Sequence, residues 1–479
     1  MSAVAAAAAV SVTDEGLRRG LTRFHALAIV VGNIVGMSVY LRPAIIAQSV
    51  HTPARLLAAW CVAGLLCLTG ALTYAELAAR FPRSGGEYAF LRETLGEPPA
   101  FLFGWMRLTV SVGSTAALGV AVAVFLSDLL PLGGSSWHLR FLGGQATIDV
   151  GARQVIAAGT ILMLAVLNIS GVARAGRFQA LVTTLKVIGL LGLIAAIFFA
   201  AHPHATPQRL NATSLGAPGV LAWGAALLAA MAAYDGWAQA PMAAGEIRDA
   251  PRALPWALIT GVTVAMLLYL ASNAAFLHVL TVDEIMISSS TAYPEAPSVG
   301  SRAATAALGT SAASVLTVLF LLSALGTLHC NLLLGSRVLF AMARDGLLPA
   351  RLSRVAESTR TPAVAIAMWA LLAMTLAVLS GYDRLSNMAV FGKLTFYAVA
   401  TFGLLWWRRR TCLGNAFVGF RAPRGVPILF LVAVVVLLIV LVAGKSAEVL
   451  AGLALMGLGV PVYAAIRLRR AARLGGSLR

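Results

Sequence analysis

The chain has 479 residues, 59% of them hydrophobic and 11% charged, with a mean hydropathy of +0.87. Soluble domains carry about 25% charged residues, so this composition excludes a soluble globular protein and requires an integral membrane one. The formal charge of +18 would fit nucleic-acid binding in a soluble domain, but its placement along the chain argues for membrane topology instead.

The opening stretch, SAVAAAAAV, has no basic leader segment and runs into Asp14, Glu15 and Arg18, which reads as a fraying tail over 1–24 rather than a signal peptide. From there, apolar stretches long enough to cross about 30 Å of hydrocarbon recur about twelve times. The expected spans are 25–49, 56–80, 98–130, 152–170, 178–201, 217–245, 253–279, 306–340, 362–381, 386–407, 426–444 and 448–466. Each must pair its backbone groups internally, so the expected fold class is an all-α membrane bundle. The longest polar loops, near 131–151 and 280–305, are too short to fold as domains.

Most of the 36 lysines and arginines fall on the side of the amino terminus, leaving Arg42, Arg107, Lys186, Arg337 and Lys393 inside the spans. Positive charge marks the cytoplasmic side, so both termini are expected there. The basic runs at 408–410 and 467–470 read as topology anchors beside membrane lipid, with no nucleic-acid partner implied. Cys61, Cys67, Cys330 and Cys412 form no CxxC pair, and HExxH, GxSxG and GxxxxGK[ST] are absent. No disulfide, metal, cofactor, enzymatic activity or nucleotide-driven pumping is therefore expected.

Two spans are interrupted. In the first, GNIVGMSVYLRP at 32–43 places Gly32, Gly36, Arg42 and Pro43 inside an apolar helix. In the sixth, AAYDGWAQAPMAAGEIRDAP at 232–251 does the same with Asp235, Gly236 and Pro241. One glycine is often a packing notch, but two breaks heading spans that lie five apart point to inverted repeats with a site at their junction. Freed N–H groups at a helix start attract a carboxylate and freed carbonyls attract an ammonium, so a zwitterion suits such a site.

The ionisable residues inside the membrane each have two readings. Lys186, in ALVTTLKVIGL at 180–190, either snorkels or is functional. Asp235 is either satisfied by backbone at the break or contacts substrate or proton. His329 is a helix–helix hydrogen bond or a pocket residue. Arg42 and Lys393 snorkel or gather carboxylates. Glu76, Arg80, Arg83, Glu87, Arg248 and Arg344, near cytoplasmic span ends, anchor topology or hold an inward gate shut through ion pairs.

GALTYAELAARFPRSGGEYAFLRETLGEPPAFLFGW at 70–105, AAYDGW at 232–237, GEIRDAPRALPWAL at 245–258 and SRVLFAMARDGLLP at 336–349, leading to Thr361-Pro362, carry a resemblance. They resemble the amino acid, polyamine and organocation (APC) transporter superfamily, most closely its L-type amino acid transporter branch and bacterial relatives, through about 25–410. The first break resembles the family's glycine-rich substrate motif, with Met37 and Ser38 where relatives usually keep a hydroxyl residue and a glycine. Ala232 stands where many relatives carry a bulky aromatic, leaving Tyr234 and Trp237 as the nearest rings.

The resemblance implies a LeuT-type 5+5 inverted repeat with discontinuous helices 1 and 6. Its units would be the tail at 1–24, a first repeat at 25–201, a second at 217–407, two further helices at 426–466 and a basic tail at 467–479. It implies that the backbone of Ile34, Val35, Gly36, Met37 and Ser38 holds a substrate carboxylate. Carbonyls around Met231, Ala232 and Tyr234 would hold its amino group, beside Asp235, Gly236 and Trp237. Lys186 would stand where sodium-coupled relatives bind a cation, bracing the first span and, if it titrates, coupling protons.

The implied function is sodium-independent transport of α-amino acids by alternating access, as exchanger or proton symporter. A polyamine or organic-cation permease and a non-transporting amino acid sensor are the alternatives. No outer-loop cysteine implies a disulfide-linked protein partner.

Overall fold

A computed structural model of the chain describes residues 16–130, 136–141, 146–200, 219–290, 292–379, 382–410, 419–443 and 447–476. Residues 1–15 of the tail expected at 1–24, Cys412 and the last residues, 477–479, lie outside this set.

Helices make up nearly all of the described elements. α1 (Arg23–Ile34) and α2 (Ser38–Val50) meet at a bend of 45°. Then come α3 (Pro53–Arg80), α4 (Glu87–Leu95) and one span, Glu97–Leu129, in which the π segment Arg107–Ser111 joins α5 (Glu97–Met106) to α6 (Val112–Leu129). α7 (Ala152–Ile169), α8 (Val172–Ala200) and α9 (Val220–Ala233) lead to a 3-10 segment, Trp237–Glu246. α10 (Ala250–Val279), α11 (Val282–Met286), α12 (Val299–Leu308), α13 (Ala312–Arg344) and α14 (Ala363–Leu379) follow. α15 (Tyr382–Arg410), α16 (Gly425–Ala443), α17 (Ala447–Gly457) and α18 (Gly459–Gly476) complete the bundle.

Among the described residues nine helices are long and apolar enough to cross a membrane, ten if the bent pair α1 and α2 is one span. α14, on the segment expected at 362–381, is apolar but only 17 residues long, and α15 carries the segment expected at 386–407.

The all-α expectation needs one amendment. Within the polar stretch at 131–151, β1 (Ser136–Phe141) and β2 (Ala146–Gly151) pair antiparallel, with Ser136 opposite Gly151 and Phe141 opposite Ala146. The sequence explains the hairpin: β-branched and aromatic residues flank Gly143 and Gly144, a strand–turn–strand pattern that the hydropathy reading passed over. The basic segment after 466 is likewise structured, since α18 runs on to Gly476.

Two apolar clusters form the interior. One gathers α1, α2, α3, α9 and α10; the other gathers α6, α7, α13 and α14. Spans early in the chain touch later ones: α2 with α9, α3 with α10, α6 with α13 and α7 with α14. Large apolar side chains such as Leu162, Leu181, Ile188, Val432 and Ile439 face outward, a surface suited to lipid.

Both described chain ends lie on one face. The Leu21 N–H donates to the Glu246 carbonyl at 2.9 Å, and the Arg248 N–H to the Leu21 carbonyl at 2.8 Å. On the same side, Arg470 Nη2 donates to the Asp345 carbonyl at 2.7 Å and Nε to the Gly346 carbonyl at 3.0 Å.

That face is closed by ion pairs. Arg337 on α13 grips Glu246 with Nε to Oε2 at 2.8 Å and Nη2 to Oε1 at 2.9 Å, both side chains 0% exposed. Arg337 Nη1 also donates to the Leu333 carbonyl at 2.9 Å. Glu76 accepts from Arg80 Nε at 2.8 Å, from Arg408 and from the Ala422 N–H at 2.9 Å.

Removing one member of a fully buried pair strands the other charge at a cost of about 3–5 kcal/mol. Glu246→Ala should therefore melt well below wild type in detergent, and the double variant Glu246→Met with Arg337→Met should recover most of the loss. A single variant melting with wild type would show that the pair does not hold this face.

Candidate functional site

The two interrupted spans meet. α1 is helical through Ile34 and α2 resumes at Ser38, so the first break is Val35, Gly36 and Met37. α9 ends at Ala233, and Gly236 takes φ +118° before the 3-10 segment. Asn33 Nδ2 donates to the Gly236 carbonyl at 3.0 Å. A Cβ at Gly236 would lie 2.7 Å from the Asn33 carbonyl oxygen, so only glycine allows this approach.

Carbonyls freed at helix ends need partners in hydrocarbon. Tyr269 Oη on α10 reaches the Ile34 carbonyl at 2.8 Å and the Ala233 carbonyl at 3.0 Å, bridging both breaks. Lys186 Nζ donates to the Gly32 carbonyl at 2.6 Å, and Thr183 Oγ1 to the Ala28 carbonyl at 3.0 Å. Gly32 lies inside α1 rather than at the break. A Cβ there would sit 2.3 Å from Thr183 Oγ1, so this glycine admits α8 to close contact.

A cavity of about 340 Å³ opens where the breaks meet. Gly36, Met37 and Ser38, at the amino end of α2, line one side; Ala232 and Ala233, at the carboxyl end of α9, line another. The first N–H groups of a helix lack intrahelical acceptors and its last carbonyls lack donors. The cavity thus faces a positive helix end and a negative one together, the arrangement that receives a carboxylate and an ammonium.

Of the residues expected at the site, Ile34, Gly36, Met37, Ser38, Ala232, Asp235, Gly236 and Lys393 line this cavity. Met231 and Trp237 line an adjoining cavity of about 80 Å³, whose wall also includes Ala232, Asp235, Lys393, Arg42 and Tyr397. Lys393 forms an ion pair with Asp235, and Tyr397 Oη donates to Asp235 Oδ1 at 2.8 Å. This pair stands in the wall between the two chambers.

Val35, Tyr234, Lys186 and His329 sit elsewhere. Val35 is buried in the core. The Tyr234 ring turns away, its Oη donating to the Trp60 carbonyl at 3.1 Å. Lys186 lies behind α1. His329 Nδ1 pairs with Gln179 Oε1 at 2.9 Å, and its ring packs on Phe178.

Sequence reasoning missed the polar wall from the third and eighth spans. Ser323, Thr327 and Asn331 line the cavity from α13, and their spacing of four places them on one helix face, a signal that was there to read. Asn33, Gln239 and Ser114 line it too. The gate residues sort into different settings: Glu76 and Arg80 form a buried ion pair, Arg83 pairs with Glu93 on the surface and Arg248 Nε caps the Arg19 carbonyl, while Glu246 and Arg337 form a further buried pair at this face.

The family described as "Amino acid permease" matches residues 21–458. The chain is similar to the serine/threonine exchanger SteT of Bacillus subtilis (strain 168), with 31% identity over 401 residues, covering 83% of this chain and 85% of that protein. It is similar to the cystine/glutamate transporter of Homo sapiens, 25% identical over 415 residues, covering 86% and 78%. Similarity to the large neutral amino acids transporter small subunit 2 of Mus musculus is 26% over 457 residues, covering 93% and 81%.

Gly236→Ala puts an L side chain at positive φ against the Asn33 backbone, a strain on the order of 1–3 kcal/mol that forces the two breaks apart. It should abolish the thermal stabilisation that any amino acid gives the wild-type protein in detergent. Undiminished stabilisation would separate ligand binding from the meeting of the breaks.

Proposed function

The chain belongs to the amino acid permease family, and from that premise we propose that it moves α-amino acids across the cytoplasmic membrane as a sodium-independent secondary transporter working by alternating access. The observation that carries this reading is the cavity shared by the amino end of α2 and the carboxyl end of α9. In it, the backbone around Ile34 to Ser38 holds the substrate carboxylate, and carbonyls around Met231 and Ala232 hold the amino group. The substrates for which the relatives are named, serine, threonine, cystine, glutamate and large neutral amino acids, all share that main chain.

Sodium independence is supported by Lys186, whose ammonium donates to the Gly32 carbonyl and so does in place what a bound cation would do for the end of α1. The contacts between corresponding spans support two inverted repeats, 25–201 and 217–407, within twelve spans that count α14 and α15. Chain ends on one basic face support cytoplasmic termini.

The closed state of the face bearing the chain ends, sealed by Glu246 and Arg337, supports an outward-facing arrangement. The cavity lining climbs the outer half of the third span, through Ser114, Leu118 and Ala121. Asp235 is engaged by Lys393 and Tyr397, which favours neutral or anionic amino acids over polyamines and organic cations.

Counterflow of an amino acid panel in proteoliposomes tests transport against mere sensing: exchange of labelled for unlabelled substrate requires movement. A hydrogen bond from a charged donor is worth about 1.5–3 kcal/mol, so Lys186→Ala should lower flux roughly ten- to a hundredfold while the protein stays monodisperse. Wild-type flux by this variant would remove Lys186 from the mechanism.

A further inference from the structure

Glu87 was expected among the ion pairs at the cytoplasmic face, and the structure gives it a different setting. It is the first residue of α4, on the connection between the second and third spans, and only 4% exposed. Among the described residues its carboxylate accepts a hydrogen bond from Tyr74 Oη at 2.5 Å and makes no ion pair.

The groups facing it come from every neighbouring element: Tyr74 from α3, Arg107 from the π segment, Asp235 from the sixth-span break, and Lys393 and Tyr397 from α15. Other charges around α4 are engaged elsewhere, Arg92 with Glu97 and Asp345, and Glu246 with Arg337. Burial favours the neutral acid, whereas Tyr74, Arg107 and the amino end of α4 favour the anion. Burial is the largest influence and pushes the carboxyl up to about 7, so both forms are accessible near neutral pH.

The turn that carries Glu87 is also fastened to the segment beyond the sixth-span break. The Gly85 N–H donates to the Met242 carbonyl at 3.0 Å. Gly86 takes φ +55°, and a Cβ there would lie 2.8 Å from the Met242 nitrogen. That 3-10 segment also holds Gln239, which lines the cavity and accepts from Arg107 Nη2 at 3.4 Å. Arg107 Nε has no partner among the described residues. Charging Glu87 draws on Arg107, and through Arg107 and Met242 it acts on the segment that borders the substrate cavity.

We propose that Glu87 is a proton-binding residue of the transport cycle, loaded from water on one side of the membrane and unloaded to water on the other as the segment after the sixth-span break moves. The step is a simple transfer: a carboxylate oxygen takes a proton from hydronium, Tyr74 Oη turns from donor to acceptor, and the same proton later leaves to water. The proposal rests on the transport reading and assigns proton coupling to it.

The test uses full-length protein in proteoliposomes, with counterflow at symmetric pH, uptake under an acid-outside gradient, and an entrapped pH dye. Wild type should show counterflow, gradient-stimulated uptake and acidification of the lumen on adding substrate. Glu87→Gln should keep counterflow and lose both the gradient response and the acidification, while Glu87→Asp keeps all three. Retained gradient response in Glu87→Gln, or wild-type counterflow together with wild-type uptake indifferent to the gradient, overturns the proposal alone. Absence of wild-type counterflow with every amino acid overturns the transport reading and this proposal with it. Should Glu87→Gln fail to fold, Tyr74→Phe decides: losing a donor to the anion should move the pH midpoint of gradient-driven uptake upward, and an unmoved midpoint overturns the proposal.

Discussion

The constraint on which this structure turns is that backbone polar groups in hydrocarbon must have partners. Breaking two helices at mid-membrane exposes carbonyls and N–H groups that water would otherwise satisfy, and most of the site is the set of side chains that answer them. Lys186 takes the Gly32 carbonyl, Tyr269 takes those of Ile34 and Ala233, and Asn33 takes that of Gly236. What these leave exposed to the cavity is the start of α2 and the end of α9. On the proposed function a zwitterion is the last partner, its carboxylate at the start of α2 and its ammonium at the end of α9.

The same constraint separates the two ends of the molecule. On the face of the chain termini, the innermost pair is fully buried: the Glu246 and Arg337 side chains are wholly covered, with more exposed pairs such as Arg83 and Glu93 outside it. Around the cavity, charges are only partly covered, with Asp235 and Lys393 at 28% and 19% exposure. A buried pair resists opening because separating it strands both charges, whereas a partly wetted pair can part at small cost. Stiffness at one end and adaptability at the other are what the proposed alternating-access cycle requires.

The fold class and the location of the breaks were legible because hydropathy and glycine placement are local properties of the chain. Lys186 was legible for the same reason: a lysine inside an apolar run announces itself whatever surrounds it. Which face a residue presents is not local. Tyr234 reads like a pocket ring, yet its helix turns it to Trp60, and Tyr269 reads like ordinary core although it joins the breaks. Glu246 and Arg337 lie 91 residues apart, so nothing in either neighbourhood discloses the pair. The stripe Ser323, Thr327 and Asn331 was readable and missed, since polar residues at helical spacing inside an apolar span mark a wetted face. The 131–151 hairpin escaped because a search for apolar length is blind to alternation.

If backbone captures the common part of every α-amino acid, discrimination must come from the walls that meet the side chain. At the start of α2 those walls are Met37 and Ser38, and Ala232 lines both the cavity and the smaller chamber. A small residue at that junction leaves the Asp235–Lys393 pair as the boundary between the chambers. A substrate side chain long enough to pass Ala232 meets that pair, and one too short does not. On the proposed function, selectivity by length and polarity would follow from the same geometry that makes the main-chain site indifferent to both.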